Sequence, residues 1–282
     1  MKTTRHSQAF TLVELLVVIG IIALLIGILM PTIRKAQLMA RQCKGASDLR
    51  QLMVGYKMYH QENRGALLLG YTPPVVNGWP VTVDDPVSGH QFGLPVADRY
   101  PWRLLPYCAR IWSILHSHDV APPAPTRGNT PAVALMRAYM LSLNPTFGLN
   151  AIYLGGHASF DGFAGDRPNV GKHVAFRASE VRRSSEQIVF AESQTRNGPF
   201  TDPTTGLHYL TPPRAGGEKW RVVNEQFVLT TGTIVGLPAG RWSKRALVGF
   251  FDGHVESSLP SELTDMRRWA PRAASNNYDY IP

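Results

Sequence analysis

The chain has 282 residues, 44% of them hydrophobic, which suffices to bury one or two sizeable cores and excludes a disordered composition. A formal charge of +9 raises nucleic-acid binding, but the basic residues are scattered. There is no run of five and no helix-turn-helix, zinc-finger or RNA-module signature, so no nucleic-acid partner is expected. Two cysteines, Cys43 and Cys108, are too few for a disulfide scaffold, and without Cys-x-x-Cys or His-x-x-x-His spacing no metal or other cofactor is indicated.

The first nine residues, MKTTRHSQA, form a short basic leader carrying Lys2 and Arg5. From Phe10 to Met30 the only ionisable side chain is Glu14, and a helix of that length is about 30 Å long, the thickness of a bilayer core. A cleaved secretory signal would need a shorter apolar core and a small-x-small cut after it. Pro31, Thr32, Ile33, Arg34 and Lys35 offer none. A plain signal anchor fits the length but gives no reason for Glu14, because a carboxylate in a bilayer-embedded helix is costly. No basic residue lies within helical reach downstream of Glu14, so its counter-charge is expected on another molecule or at a new chain end.

The run Ala9-Phe10-Thr11-Leu12-Val13-Glu14-Leu15-Leu16 resembles the processing and methylation motif of type IV pilins and type II secretion pseudopilins. That resemblance implies cleavage by a prepilin peptidase between Ala9 and Phe10, N-methylation of Phe10, and pairing of the new terminal ammonium with Glu14 of a neighbouring subunit. Ala9 stands where the family usually has Gly. Pro31 matches a helix proline common in these proteins; it removes one backbone donor and permits bending or melting there. The implied partners are the prepilin peptidase, other pilin-like subunits, an inner-membrane secretion platform and membrane lipid. The implied location is the bacterial inner membrane, crossed once, with a cytoplasmic N-terminus, a periplasmic C-terminal domain and a filament after processing. Arg34, Lys35 and Arg41, on the exported side, run against the positive-inside bias.

The helix is expected to continue to about Asn63, giving a rod of about 80 Å. Ala36, Met39, Cys43, Ala46, Leu49, Met53, Tyr56 and His60 recur at spacings of three and four and mark the buried face. Arg41, Lys44, Asp48, Arg50, Gln51 and Lys57 mark the outer one. Cys43 is thus expected as a small packed residue. Asn63-Arg64-Gly65 is the stop. The stretch from Cys43 to Leu52, with Tyr59, resembles the large pseudopilin-like families abundant in planctomycete-type bacteria.

Residues 66–145 are broken by prolines, with short helices expected at Tyr100–Tyr107 and Val133–Leu143. Trp79, Trp102 and Trp112 are read as packing anchors rather than a carbohydrate-stacking site. Strands are expected at 148–154 and 187–192, with weaker candidates at 226–232 and 233–236. The clearest unit is 247–257, where Asp252-Gly253 predicts a two-residue hairpin turn with positive φ at both positions.

That hairpin resembles a C-terminal signature of the same group, His, nine residues, then Asp-Gly, usually followed by His-Val. Asp252, Gly253, His254 and Val255 match it, but Trp242 stands where the His belongs, so no role of that His carries over. Asp252 and His254 with Glu192 or His208 offer metal-ligand and acid–base side chains, yet nothing in the sequence brings them together. A turn-forming Asp and an outward strand His is the reading adopted, and no enzyme is indicated.

The expected fold is α+β and pilin-like: a long N-terminal helix packed on a small antiparallel sheet with long loops. The expected organisation is leader 1–9, transmembrane helix 10–30, amphipathic helix 31–63 and exported domain 64–282. The expected role is that of a prepilin-like subunit assembled into a type II secretion pseudopilus or a type IV pilus-like filament. Two other classes stay open: a membrane-anchored periplasmic protein that binds glycan or another ligand without polymerising, and a tethered hydrolase.

Overall fold

The structure is a computed structural model that describes residues 12–73, 75–76, 78–85, 89–116, 130–157, 173–196, 206–230, 235–242 and 244–279. The chain divides into two compact units at Cys43/Lys44. Helix α1 (Leu12–Glu62) contributes to both and runs through Pro31 without a break. Its N-terminal part is exposed at every residue from Leu12 to Ala40 and is long and apolar enough to cross a membrane. A helix satisfies its own backbone hydrogen bonds, which an apolar surrounding demands.

In the second unit α1 becomes a core element. Gly45, Asp48, Leu49, Leu52, Met53, Gly55 and Tyr56 are buried. The helix stops as expected, with Arg64 (φ 53°) and Gly65 (φ 79°) in the left-handed region and the Gly65 N–H donating to the His60 carbonyl at 2.7 Å. Four residue placements on this helix are corrected. Ala36, Met39 and Cys43 are exposed, because burial begins only at Gly45, and Asp48 is buried, its carboxylate accepting from Lys44 Nζ at 2.9 Å. Both cysteines are free, and burial pushes the Cys108 thiol up to about 12, which makes it inert.

Two short hairpins, β1 (Val75–Val76) with β2 (Trp79–Pro80) and β3 (Val83–Asp84) with β4 (Gln91–Phe92), lead into α2 (Tyr100–Leu104). A 3-10 turn at Leu105–Cys108, α3 (Trp112–Leu115) and α4 (Pro131–Leu143) follow. Thr130 caps α4 by accepting from the Val133 N–H, and Pro131 sits where its missing donor costs nothing. Trp102 is a packing anchor, its indole N–H donating to Ala138 O at 2.9 Å and its ring edge-on to Trp112 at 4.4 Å. Trp79 departs from that reading: it is 78% exposed on β2.

The main sheet is antiparallel, built from β5 (Phe147–Leu149), β6 (Ile188–Arg196), β9 (Val235–Pro238), β10 (Ala246–Phe250) and β11 (Val255–Ser258), in the order β11-β10-β6-β5 with β9 also on β6. Between them β7 (Trp220–Val223) and β8 (Gln226–Leu229) form a separate hairpin, of which sequence patterning marked only the second strand. The expected strand at 148–154 ends after Leu149. Asn150 turns the chain, its side-chain amide donating to Ile188 O at 2.9 Å and Trp269 O at 2.8 Å.

Strand β10 is buried at all five residues because both of its faces are covered. Leu247 faces the cluster containing Leu49, Met53 and Tyr56 of α1. Ala246, Val248 and Phe250 face Trp220, Leu263, Met266 and Trp269, contributed largely by 3-10 turns at Pro260–Thr264 and Met266–Arg268. This strict alternation across a sheet covered on both sides gives the α+β, pilin-like class expected. At the outer edge, Arg245 donates to Ser257 O of β11 through Nε at 3.0 Å and a terminal nitrogen at 2.6 Å, and Glu256 pairs with Arg268.

Candidate functional site

The residues singled out in the sequence fall in two places. At the N-terminal end, Glu14 lies in the first turn of α1, where a carboxylate suits the positive end of the helix dipole. Pro31 lies within the helix. Ala9 and Phe10, the expected cleavage position, lie outside the described residues.

At the C-terminal end, β10 and β11 are connected by four residues, Phe251-Asp252-Gly253-His254. The Gly253 N–H donates to Phe250 O at 2.8 Å, and Phe250 N–H donates to His254 O at 3.0 Å. Only Gly253 has positive φ (99°), so the expected two-residue turn is corrected: a tight turn followed by a left-handed glycine supplies the reversal, and Asp252 keeps ordinary dihedrals. Asp252 instead uses its side chain. One carboxylate oxygen accepts the His254 backbone N–H at 3.0 Å and lies 2.6 Å from His254 Nδ1. Burial pushes this carboxyl up, but the two bonds from His254 outweigh it and hold the group below the usual carboxylate range. The His254 ring stacks on Phe250 at 4.4 Å, and Lys57 of α1 donates to the Asp252 carbonyl.

Asp252 and His254 therefore meet, at the surface, as a turn lock. Glu192 and His208 are not with them. Glu192 is buried under Trp242, and His208 packs beside His157 with ring centroids 6.1 Å apart. Among the described residues no group of three or more His, Cys, Asp or Glu side chains is placed to hold a metal ion.

Residues 4–30 match the family model of the prokaryotic N-terminal methylation motif. The N-terminal segment is a prepilin-type motif. The match ends with the apolar run, far short of the hairpin, so it speaks for the N-terminal segment alone. No curated protein and no solved structure matches the chain. The matched residues overlap the start of α1 at Leu12.

Three features were missed by sequence reasoning. Lys57 was assigned to the solvent face, yet it reaches the hairpin tip. Glu192 is fastened by Trp242, fifty residues away. His157 and His208 are buried together, and burial, with Arg99 nearby, lowers His157 to about 3. Only the apolar neighbours of Glu192, Ile188–Ala191, hinted at its depth in the sheet.

Proposed function

We propose that the chain is a prepilin-like subunit, cut between Ala9 and Phe10 by a prepilin peptidase and N-methylated at Phe10. It then assembles through its N-terminal helix into a type II secretion pseudopilus or a type IV pilus-like filament. The observation that carries this reading is the methylation motif over residues 4–30, continuous with a helix whose apolar half is exposed at every described residue. Such a surface is covered by lipid tails before assembly and by neighbouring helices afterwards, since apolar area left in water would cost about 25 cal/mol per Å2. In the assembled state the Phe10 ammonium pairs with Glu14 of an adjacent subunit. That pair sets axial register more than net stability, because desolvation offsets much of the Coulomb attraction.

The domain beyond the apolar half is exported to the periplasmic side, and the inner-membrane platform and lipid are the remaining partners. Intact mass and N-terminal sequencing of the protein taken from its native membrane test the reading. The expected product starts at methylated Phe10; a Met1 start, or a cut beyond Met30, overturns it. Glu14→Ala is expected to abolish or misregister assembly while the far-UV spectrum of the exported domain stays unchanged.

A further inference from the structure

A concavity of about 700 Å3 opens beside the 3-10 turn Ala178–Glu180 and the segment that follows Met266–Arg268. It is lined by three arginines, Arg182, Arg183 and Arg272, with one carboxylate, Glu180, and the buried pair Pro271 and Ala273; just outside the lining, Glu186 stands 3.9 Å from Arg183. The two walls are clamped by Arg183, which donates to Ala273 O at 2.7 Å. Glu180 is already engaged, one oxygen accepting the Phe176 N–H at 2.9 Å, and Arg272 stands 3.9 Å from that same oxygen, beyond hydrogen-bond range. Arg182 is exposed and has no hydrogen bond or ion pair among the described residues. The concavity therefore presents fixed positive charge and unused planar donors beside the apolar pair Pro271 and Ala273.

Guanidinium stays charged at every working pH, and its fork geometry matches carboxylate and phosphate oxygens two at a time. The volume falls within the range of small-molecule sites, and Arg182, together with Arg272 held only loosely by Glu180, leaves two guanidinium groups for an incoming anion. We propose that this concavity binds a small polyvalent oxyanion, a di- or tricarboxylate or a phosphate ester, with Arg182 and Arg272 gripping it and Arg183 holding the two walls together. The site shares no residue with the methylation motif or the hairpin, although the Asp252 N–H of the hairpin donates to Ser184 O, next to Arg183, at 3.0 Å, and it stands whether or not the chain assembles.

Calorimetric titration of the full-length protein, in an uncharged detergent at low salt, with citrate and separately with pyrophosphate tests this. Saturable one-to-one binding of at least one anion is expected, and the anion that binds tells carboxylate from phosphate recognition. Arg182→Ala is expected to weaken it about tenfold, the worth of one charge-assisted contact. Arg272→Gln should act similarly, and Arg221→Ala, at an exposed position of β7, should leave it unchanged. Failure of both anions to saturate, or equal weakening by Arg221→Ala and Arg182→Ala, overturns the proposal, since diffuse attraction would then explain any signal.

Discussion

Trp242 donates its indole N–H to a carboxylate oxygen of Glu192 across 2.8 Å in the interior, while the Leu247 backbone N–H donates to the other oxygen at 3.0 Å. Glu192 is 1% exposed, so each donor matters: a buried carboxylate is tolerated where its oxygens are bonded. The arrangement ties β6 to β10 and to the segment between β9 and β10. It also gives Trp242 a physical role at the position where the resembled C-terminal signature carries His, because either ring can present an N–H. Trp242→Phe keeps an aromatic ring and deletes only the donor. It is expected to cost about 1–3 kcal/mol, read as a lower denaturation midpoint of the full-length protein. An unchanged midpoint would show that the bond contributes nothing net.

Gly249 of β10 lies against Met53 and Leu49 of α1 with no room for a side chain. A Cβ there would come 2.9 Å from Met53 Sδ and 3.3 Å from Leu49 Cδ1. Gly249→Val should therefore destabilise by about 1–3 kcal/mol through overpacking. Because the two nearest obstructing atoms belong to the flexible Met53 side chain, Met53→Ala should recover part of that loss in the double variant. Additive effects in a double-mutant cycle would argue that the two sites are uncoupled.

At the hairpin tip, Gly253 combines positive φ with a side-chain neighbour, Lys57 Nζ, 2.8 Å from where a Cβ would stand. Gly253→Ala is expected to cost about 1–2 kcal/mol, chiefly from the left-handed backbone. Asp252→Asn, which preserves an acceptor for the His254 N–H, should cost less than Asp252→Ala. Comparison of the three midpoints distinguishes a backbone requirement from an electrostatic one.

Three histidines give the second unit a pH dependence. Burial lowers His116 to about 4 and His157 to about 3, and places His208 well below its ordinary value, with His157 and Arg99 adding to the effect. In the unfolded chain these groups protonate near pH 6.5, while in the folded protein they stay neutral. The unfolded state thus takes up more protons below pH 6.5, and stability falls as pH drops from there towards 4. Above pH 6.5 these groups contribute no slope. The expected loss is about 1 kcal/mol per pH unit for each histidine. Denaturant midpoints at pH 7, 6 and 5 measure it, and His116→Gln should flatten the slope by its share. A midpoint flat from pH 7 to 5 would contradict the burial of these rings as neutral groups.

Local patterns carried the elements whose signal is local. An uninterrupted apolar run identified the N-terminal half of α1, Asn63-Arg64-Gly65 its end, Pro131 and the periodicity after it α4, and Asp252-Gly253 the last hairpin. What escaped depends on residues far apart in the chain. Helical spacing told which face of α1 is apolar, but not that cover begins at Gly45, so Cys43 and Asp48 were placed on the wrong sides. The run after Gly148 has strand composition, yet Asn150 leaves the sheet because its amide finds carbonyls at Ile188 and Trp269. The methylation motif was readable residue by residue. The arginine-lined concavity was not, since Arg182 and Arg272 stand ninety positions apart.

The covered edge of β11 has a bearing on crowding. An exposed strand is a template onto which a second copy can add its own, and confinement to the plane of a membrane raises that hazard. This edge is four residues long, carries Glu256 beside Arg268, and has the Ser257 carbonyl occupied twice by Arg245. It is a poor template, so copies brought close together gain little from sheet-to-sheet addition at β11, and the route to amyloid-like stacking along that edge is closed by the chain's own arginines.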